Sequence, residues 1–135
     1  MTPAILRYQA EKRYSTEERC DINELSNGGA DPDLSIAQAI VAPGVTTAWH
    51  CVVDTLERYV LISGSGRVEV GELPPAEVGV GDVVIIPPGV PQRITNTGAG
   101  DLVFLAICTP RFAQRNHRDL SSAAPAADAA DEHSS

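Results

Sequence analysis

The side chains best suited to chemistry in this chain are an imidazole, a carboxylate and a carboxamide: His50, Glu57 and Gln92. Turned into one cavity, these groups can hold a divalent metal ion, and they can equally form a hydrogen-bonding or acid–base pocket. Histidine is scarce: His50, His117 and His133 are the only three, and His133 falls in the acidic tail, so a site built from several imidazoles is not expected. His50 and Glu57 are seven positions apart, and one unbroken strand would set them on opposite faces. A turn near Asp54-Thr55 instead places them on neighbouring antiparallel strands and on one face, which period two extends to Val52, Tyr59 and Leu61. In a second segment Gln92 and Ile94 share a face and Arg93 lies opposite.

The elements that must position these groups read as short strands. Leu34 to Val41 is β-rich and stops at Pro43-Gly44, and Thr46 to Val53 is rich in β-branched residues. Glu57 to Ser63 alternates up to Gly64-Ser65-Gly66, and Arg67 to Val70 resumes the alternation, so Arg58 to Ile62 and Val68 to Val70 read as a hairpin. Val83 to Ile86 lies between Gly81-Asp82 and Pro87-Pro88-Gly89. Gln92 to Thr95 and Leu102 to Cys108 follow, the last ended by Pro110. Before them, residues 1–33 form a polar N-terminal arm with edge strands expected around Ala4 to Tyr8 and Cys20 to Leu25. After Leu120 there is almost no large apolar residue, so residues 118–135 are expected to be a disordered acidic tail. Short strands at about 8–12-residue spacing, with Gly and Pro turns and no amphipathic helix, indicate an all-β sandwich or barrel.

Composition narrows the function. A chain of 135 residues supports one core. A formal net charge of −8 argues against nucleic acid and anionic membranes as partners, because both require a basic stripe. No apolar run approaches the ~18 residues of a membrane span. Glu11, Lys12 and Arg13 occupy the place of a signal core, so the expected location is cytoplasmic. Cys20, Cys51 and Cys108 are odd in number and far apart, and are expected to stay reduced.

Two segments resemble the paired signatures of the cupin superfamily. In the first, Gly44 precedes His50-Cys51-Val52 by five residues, Glu57 follows after four, and Gly64 after six more. In the second, Gly81 precedes Pro87-Pro88-Gly89 by five residues, Gln92 follows after two, and Asn96 after three more. The resemblance spans Leu34 to Pro110 and implies a double-stranded β-helix, a jelly-roll barrel of short antiparallel strands, within residues 34–117. It also implies a metal site at the His-x-His, glutamate and third-histidine positions. Here Val52 replaces the second histidine and Gln92 the third, leaving His50, Glu57 and Gln92 as the implied ligands of one divalent ion: iron, manganese, zinc, nickel or copper.

With those ligands the resemblance implies a small metal-dependent enzyme of dioxygenase, isomerase or lyase type, acting on a small oxygen-rich organic molecule. Glu57 and Tyr59 are the catalytic candidates, and Val52, Tyr59, Leu61 and Ile94 the substrate wall. One carboxylate and two neutral donors leave a divalent ion net positive, so water or an anionic substrate is expected to complete its shell. A metal-free small-molecule binding or sensor module is the alternative. Cupins commonly form homodimers, and the long arm is consistent with one.

Overall fold

Strands follow wherever alternation meets a Gly or Pro stop. A computed structural model describes residues 1–125. Among these, β1 (Tyr14–Ser15), β2 (Asp21–Ser26), β3 (Ser35–Val41), β4 (His50–Val52), β5 (Leu56–Ser63) and β6 (Ser65–Val70) come first. They are followed by β7 (Ala76–Gly79), β8 (Val83–Ile86), β9 (Gln92–Asn96), β10 (Leu102–Thr109) and β11 (His117–Asp119). They form a six-stranded sheet, β1-β2-β3-β10-β5-β8, facing a five-stranded sheet, β11-β4-β9-β6-β7. Every paired ladder is antiparallel. No helix among the described residues is long and apolar enough to cross a membrane. Cys20, Cys51 and Cys108 are buried and free.

Register sorts the inner face of the six-stranded sheet into rows. Ser35, Cys108, Glu57 and Ile86 form one row, and Ala37, Ala106, Tyr59 and Val84 the next. Ala39, Phe104 and Leu61 then pack beside Val41 and Leu102. The barrel is therefore polar and lined by small side chains at one end. At the other it is filled, where Leu61, Phe104, Leu102 and Val41 meet Val68, Val70 and Ile94 of the opposite sheet. Such a gradient leaves space at only one end. Arg93 points the other way from Gln92 and Ile94, as period two requires, and is held by both carboxylate oxygens of Glu69 at 2.6 and 3.0 Å.

Some elements differ from the sequence reading. The segments before and after Gly64 do not pair as a hairpin: β5 belongs to the six-stranded sheet and β6 to the five-stranded one. Gly64 has φ +87°, and a Cβ there would stand 2.8 Å from the Asp101 carbonyl oxygen, so this glycine serves a tight crossover between sheets. Ala4 to Tyr8 is not a strand; Ile5, Leu6 and Tyr8 are exposed. Thr46 to Val53 shortens to β4, and β7 and β11 arise where no strand was expected. Of the tail expected to be disordered, Arg118 and Asp119 complete β11 and Ser121–Ala123 makes a 3-10 turn; residues 126–135 lie outside the described residues.

Asn96, the last residue of the second signature, ties the filled end together. It is 1% exposed; its amide donates to the Val41 and Gly100 carbonyls at 2.8 Å each, and its oxygen accepts from Gly98 N–H at 2.9 Å. Asn96→Ala would leave these backbone groups without a partner and is expected to destabilise the fold by about 2–4 kcal/mol, at about 1–3 kcal/mol per unsatisfied buried group with partial relaxation. Urea unfolding measures it; a loss below about 0.5 kcal/mol would show that the three bonds are dispensable.

Candidate functional site

The polar end of the barrel is assembled by backbone hydrogen bonds across the sheets. Thr47 N–H donates to the Ile94 carbonyl at 2.9 Å, and Ile94 N–H to Thr47 Oγ1 at 3.0 Å. These bonds lay the segment before β4 along β9 and bring His50 opposite Gln92. Glu57 enters from β5, opposite Cys108 on one side and Ile86 on the other. The three residues of the sequence reading, His50, Glu57 and Gln92, thus gather at one end, all buried. Gln92 Nε2 donates to Glu57 Oε1, and the Cys108 thiol lies 3.9 Å from Glu57 Oε2.

Glu18 and His117 join them, and neither was singled out from the sequence. Glu18 sits in the turn between β1 and β2, anchored by Ala48 N–H donating to its carbonyl at 3.1 Å. His117 is directly opposite Val52 in the β11–β4 ladder. Where the signature's second histidine is missing, an imidazole therefore arrives on the neighbouring strand. Glu18 Oε2 is 2.5 Å from His117 Nε2 and 3.2 Å from His50 Nδ1, and the two rings stack with centroids 5.1 Å apart. The available signal was that His117 is one of only three histidines; the pairing that places it is non-local.

A cavity of about 450 Å³ opens over these groups. Its wall includes Glu18, His50, Glu57, His117 and Cys108, with Val52, Ile22, Ile36 and Phe112 as apolar surface. Val52, read as substrate wall, does line it. Tyr59, Leu61 and Ile94 do not: they face the barrel interior but lie in the filled part, Tyr59 packed on Phe104 at 4.3 Å between ring centroids.

Burial, partly opposed by the nearby imidazoles and the Gln92 amide, holds the Glu57 carboxyl above the usual carboxylate range. Burial acts upward on Glu18 too, but the hydrogen bond from His117 and the two imidazoles outweigh it and hold Glu18 below that range. The same bond raises His117 above its ordinary value, against burial. Burial, then Glu57, pushes the Cys108 thiol up to about 12 and the Tyr59 phenol well above its usual value.

Two sets of groups bear on a divalent ion. The donor atoms of Glu18, His50 and His117 lie within 4.8 Å of one another. His50 Nδ1, however, faces two acceptors, the Ala48 carbonyl at 2.8 Å and Glu18, so it carries the hydrogen, and His117 Nε2 is likewise bound to Glu18. Protons hold that triad closed. The second set keeps donor atoms that no proton or hydrogen bond in the site occupies. The Nδ1 hydrogen leaves the His50 Nε2 lone pair for a ligand, with Glu18 and the carbonyl as outer partners of the kind that orient metal-bound imidazoles. Glu57 is a buried carboxylate beside it. Gln92 Oε1, among the described residues, is a buried side-chain oxygen with no hydrogen-bond partner.

The Glu18–His117 contact sets a pH dependence with chelator present. His117, raised, contributes stability that is full below the ordinary histidine value of 6.5 and is lost as pH climbs through its raised value. Glu18, lowered, contributes stability that is full above 4.5 and is lost as pH falls through its lowered value. The melting-temperature gap between the wild type and His117→Asn is therefore expected to be widest between pH 4.5 and 6.5 and to narrow on the alkaline side. A gap that grows from neutral to alkaline pH would contradict this.

Comparisons with known proteins agree with the architecture. The family model described as "Cupin domain" matches residues 37–108. The uncharacterized protein MJ1618 of Methanocaldococcus jannaschii is 31% identical over 114 residues, 83% of this chain and 88% of that protein. A solved, uncharacterized protein with a double-stranded β-helix domain from Klebsiella pneumoniae superposes with a TM-score of 0.67 at 17% identity, over 81% of this chain and 90% of that one. Streptomyces Pac13, a nucleoside dehydratase, gives 0.70 at 17% identity, over 87% and 92%. At these identities the structural likeness shows the fold. The family model and the Methanocaldococcus relative show more: this chain belongs to the cupin family.

Proposed function

We propose that this protein is a metal-dependent cupin enzyme acting on a small, oxygen-rich organic molecule, with His50 Nε2, Glu57 and Gln92 Oε1 holding one divalent ion. The observation that carries the reading is the Gln92 oxygen: buried, without a partner, beside a buried carboxylate and an imidazole whose Nε2 is left free. Such an ion, with three protein ligands and open positions, supplies Lewis-acid polarisation of a substrate oxygen. The chain's own groups supply the rest. Gln92 fixes the Glu57 carboxylate, Glu18 fixes the His50 ring, and His117 holds a proton against Glu18 on the cavity wall, where it can serve a general acid or base step. This supply of protons favours isomerase or lyase chemistry among the reactions cupins host. That a dehydratase shares the fold is in keeping with it.

A metal-free binding or sensor module is the second reading, and the closed Glu18–His50–His117 triad favours it. Titration of metal-stripped protein with zinc and manganese separates the two. His50→Ala is expected to abolish binding, and Gln92→His, which restores an imidazole, to tighten it by about tenfold or more. Metal affinity unchanged in both variants, or no binding in any of the three proteins, would end the metal reading.

Homodimerisation is part of the proposal. Val83 and Ile85 of β8 and Ile62 of β5 are exposed on the outer side of the six-stranded sheet, beside Val60 and Leu105. These five side chains form an apolar patch, with Arg58 opposite Ile85 as the charged group beside it, and such a patch is a surface on which two copies can meet. Ile85→Glu is expected to convert a dimer into monomer in sedimentation velocity; a wild type that sediments as monomer at 100-fold varied concentration, about two decades, would refute it.

A further inference from the structure

Carboxylates outnumber the basic groups on the cavity wall. Glu17, Glu18, Glu24, Glu57 and Asp119 all line it, and among the described residues no Lys or Arg does. The guanidinium groups nearby stand outside the wall, and bonds to neutral partners orient all but Arg13 without cancelling their charge. Arg111 donates to the Asn27 side chain at the rim at 3.0 Å, Arg118 to the carbonyls of Arg115 and His117, Arg13 to Asp21, and Arg58 to Thr109. The opposing groups on the wall are His117, already bound to Glu18, and His50.

Hydrogen-bonding capacity is skewed the same way. Carboxylates offer only acceptors, and behind the Glu57 carboxyl the buried Gln92 oxygen adds another without a partner. A ligand that suits such a wall brings donors and positive charge. An ammonium group brings three donors and no acceptor. Tyr14 and Phe112 line the same wall, and aromatic rings are compatible with a cation beside them. A cavity of about 450 Å³ is comparable in width to the ~8 Å Debye length at physiological ionic strength. The wall charges therefore act together, and a concave low-dielectric surface concentrates their field.

We propose that the cavity takes a small organic cation, a molecule carrying an ammonium group beside its hydroxyls, and turns away phosphates and carboxylates. The ammonium lies among Glu17, Glu24 and Asp119 towards the mouth, and the hydroxylated part reaches inward to His50 and Glu57. This replaces the anionic substrate expected from the charge of a metal ion alone. It rests on the preceding reading only in taking this cavity as the substrate site, and does not require the metal.

Charge-selective thiol modification tests it without knowledge of the substrate. Ala106, on the cavity wall beside Ala37, is the reporter position. In Ala106→Cys, with the unsubstituted chain as blank, rates are measured in chelator with the cationic trimethylammonium-ethyl and the anionic sulfonatoethyl methanethiosulfonates. The cation-to-anion ratio, normalised to a free thiol, is expected to exceed unity by about tenfold or more, to fall in high salt, and to drop towards unity when Glu17→Gln, Glu24→Gln and Asp119→Asn are combined. Ala37→Cys serves as the second reporter should the first fail to fold. A normalised ratio at or below one, or one indifferent to the triple substitution, overturns the proposal. Absence of metal binding with the ratio intact would overturn the metal reading alone, and a ratio of one in a chain that binds metal would overturn this one alone.

Discussion

A carboxylate cannot be placed between two β-sheets without something to answer its charge, and Glu57 is so placed. It stands on the inner face of β5, 7% exposed, among Cys108, Ile86 and Gln92. Burying an unpaired carboxylate costs far more than one hydrogen bond returns, so the group must be neutralised, paired or given a cation. Much at the polar end follows from this: a glutamine in contact with it, an imidazole beside it, and a second carboxylate, Glu18, kept on the far side of that imidazole. The row of small residues, Ala37 and Ala106, keeps the space above these groups open. Larger side chains there would seal Glu57 from both solvent and ligand.

The imidazoles divide what remains. His50 belongs to the barrel and its Nδ1 is committed to Ala48 and Glu18. His117 belongs to a short strand added at the edge of the five-stranded sheet, opposite Val52. An imidazole at position 117, opposite Val52, stands against Glu18 on the cavity wall. Val52 contributes an apolar surface that lowers the local dielectric and strengthens the charges around it. Substitution in the signature thus changes the distribution of roles around the cavity while the cavity itself persists.

How much of this the chain declared in advance depended on range. The glycines and prolines that bound the two signatures marked the strands because their conformational demands are local, and β3, β5, β8, β9 and β10 were legible almost residue for residue. Period two correctly turned Glu57, Tyr59 and Leu61 inward together. It could not say that the barrel is open beside Glu57 and filled beside Leu61, because Phe104 and Ile94, which do the filling, come from distant segments. The supposed hairpin at Gly64 failed for the same reason: a tight turn signals reversal, but β6 pairs with the distant β9 and with β7 in the other sheet. Glu18 and His117 were illegible as site residues. A glutamate in a polar arm and a histidine near the chain end carry no local mark, and only pairing across 99 positions joins them.

The two ends of the cavity answer different electrostatic problems, and that separation is what makes the site coherent. At the inner end each carboxylate is answered locally: the Gln92 amide donates to buried Glu57, and partly buried Glu18 meets two imidazoles. At the mouth Glu17, Glu24 and Asp119 are exposed, so each alone is weak and screened. Their effect is collective and falls on whatever enters. A wall of this kind adds nothing to the inner carboxylates, which are answered by their immediate neighbours. Its sign bears instead on any molecule that passes the mouth.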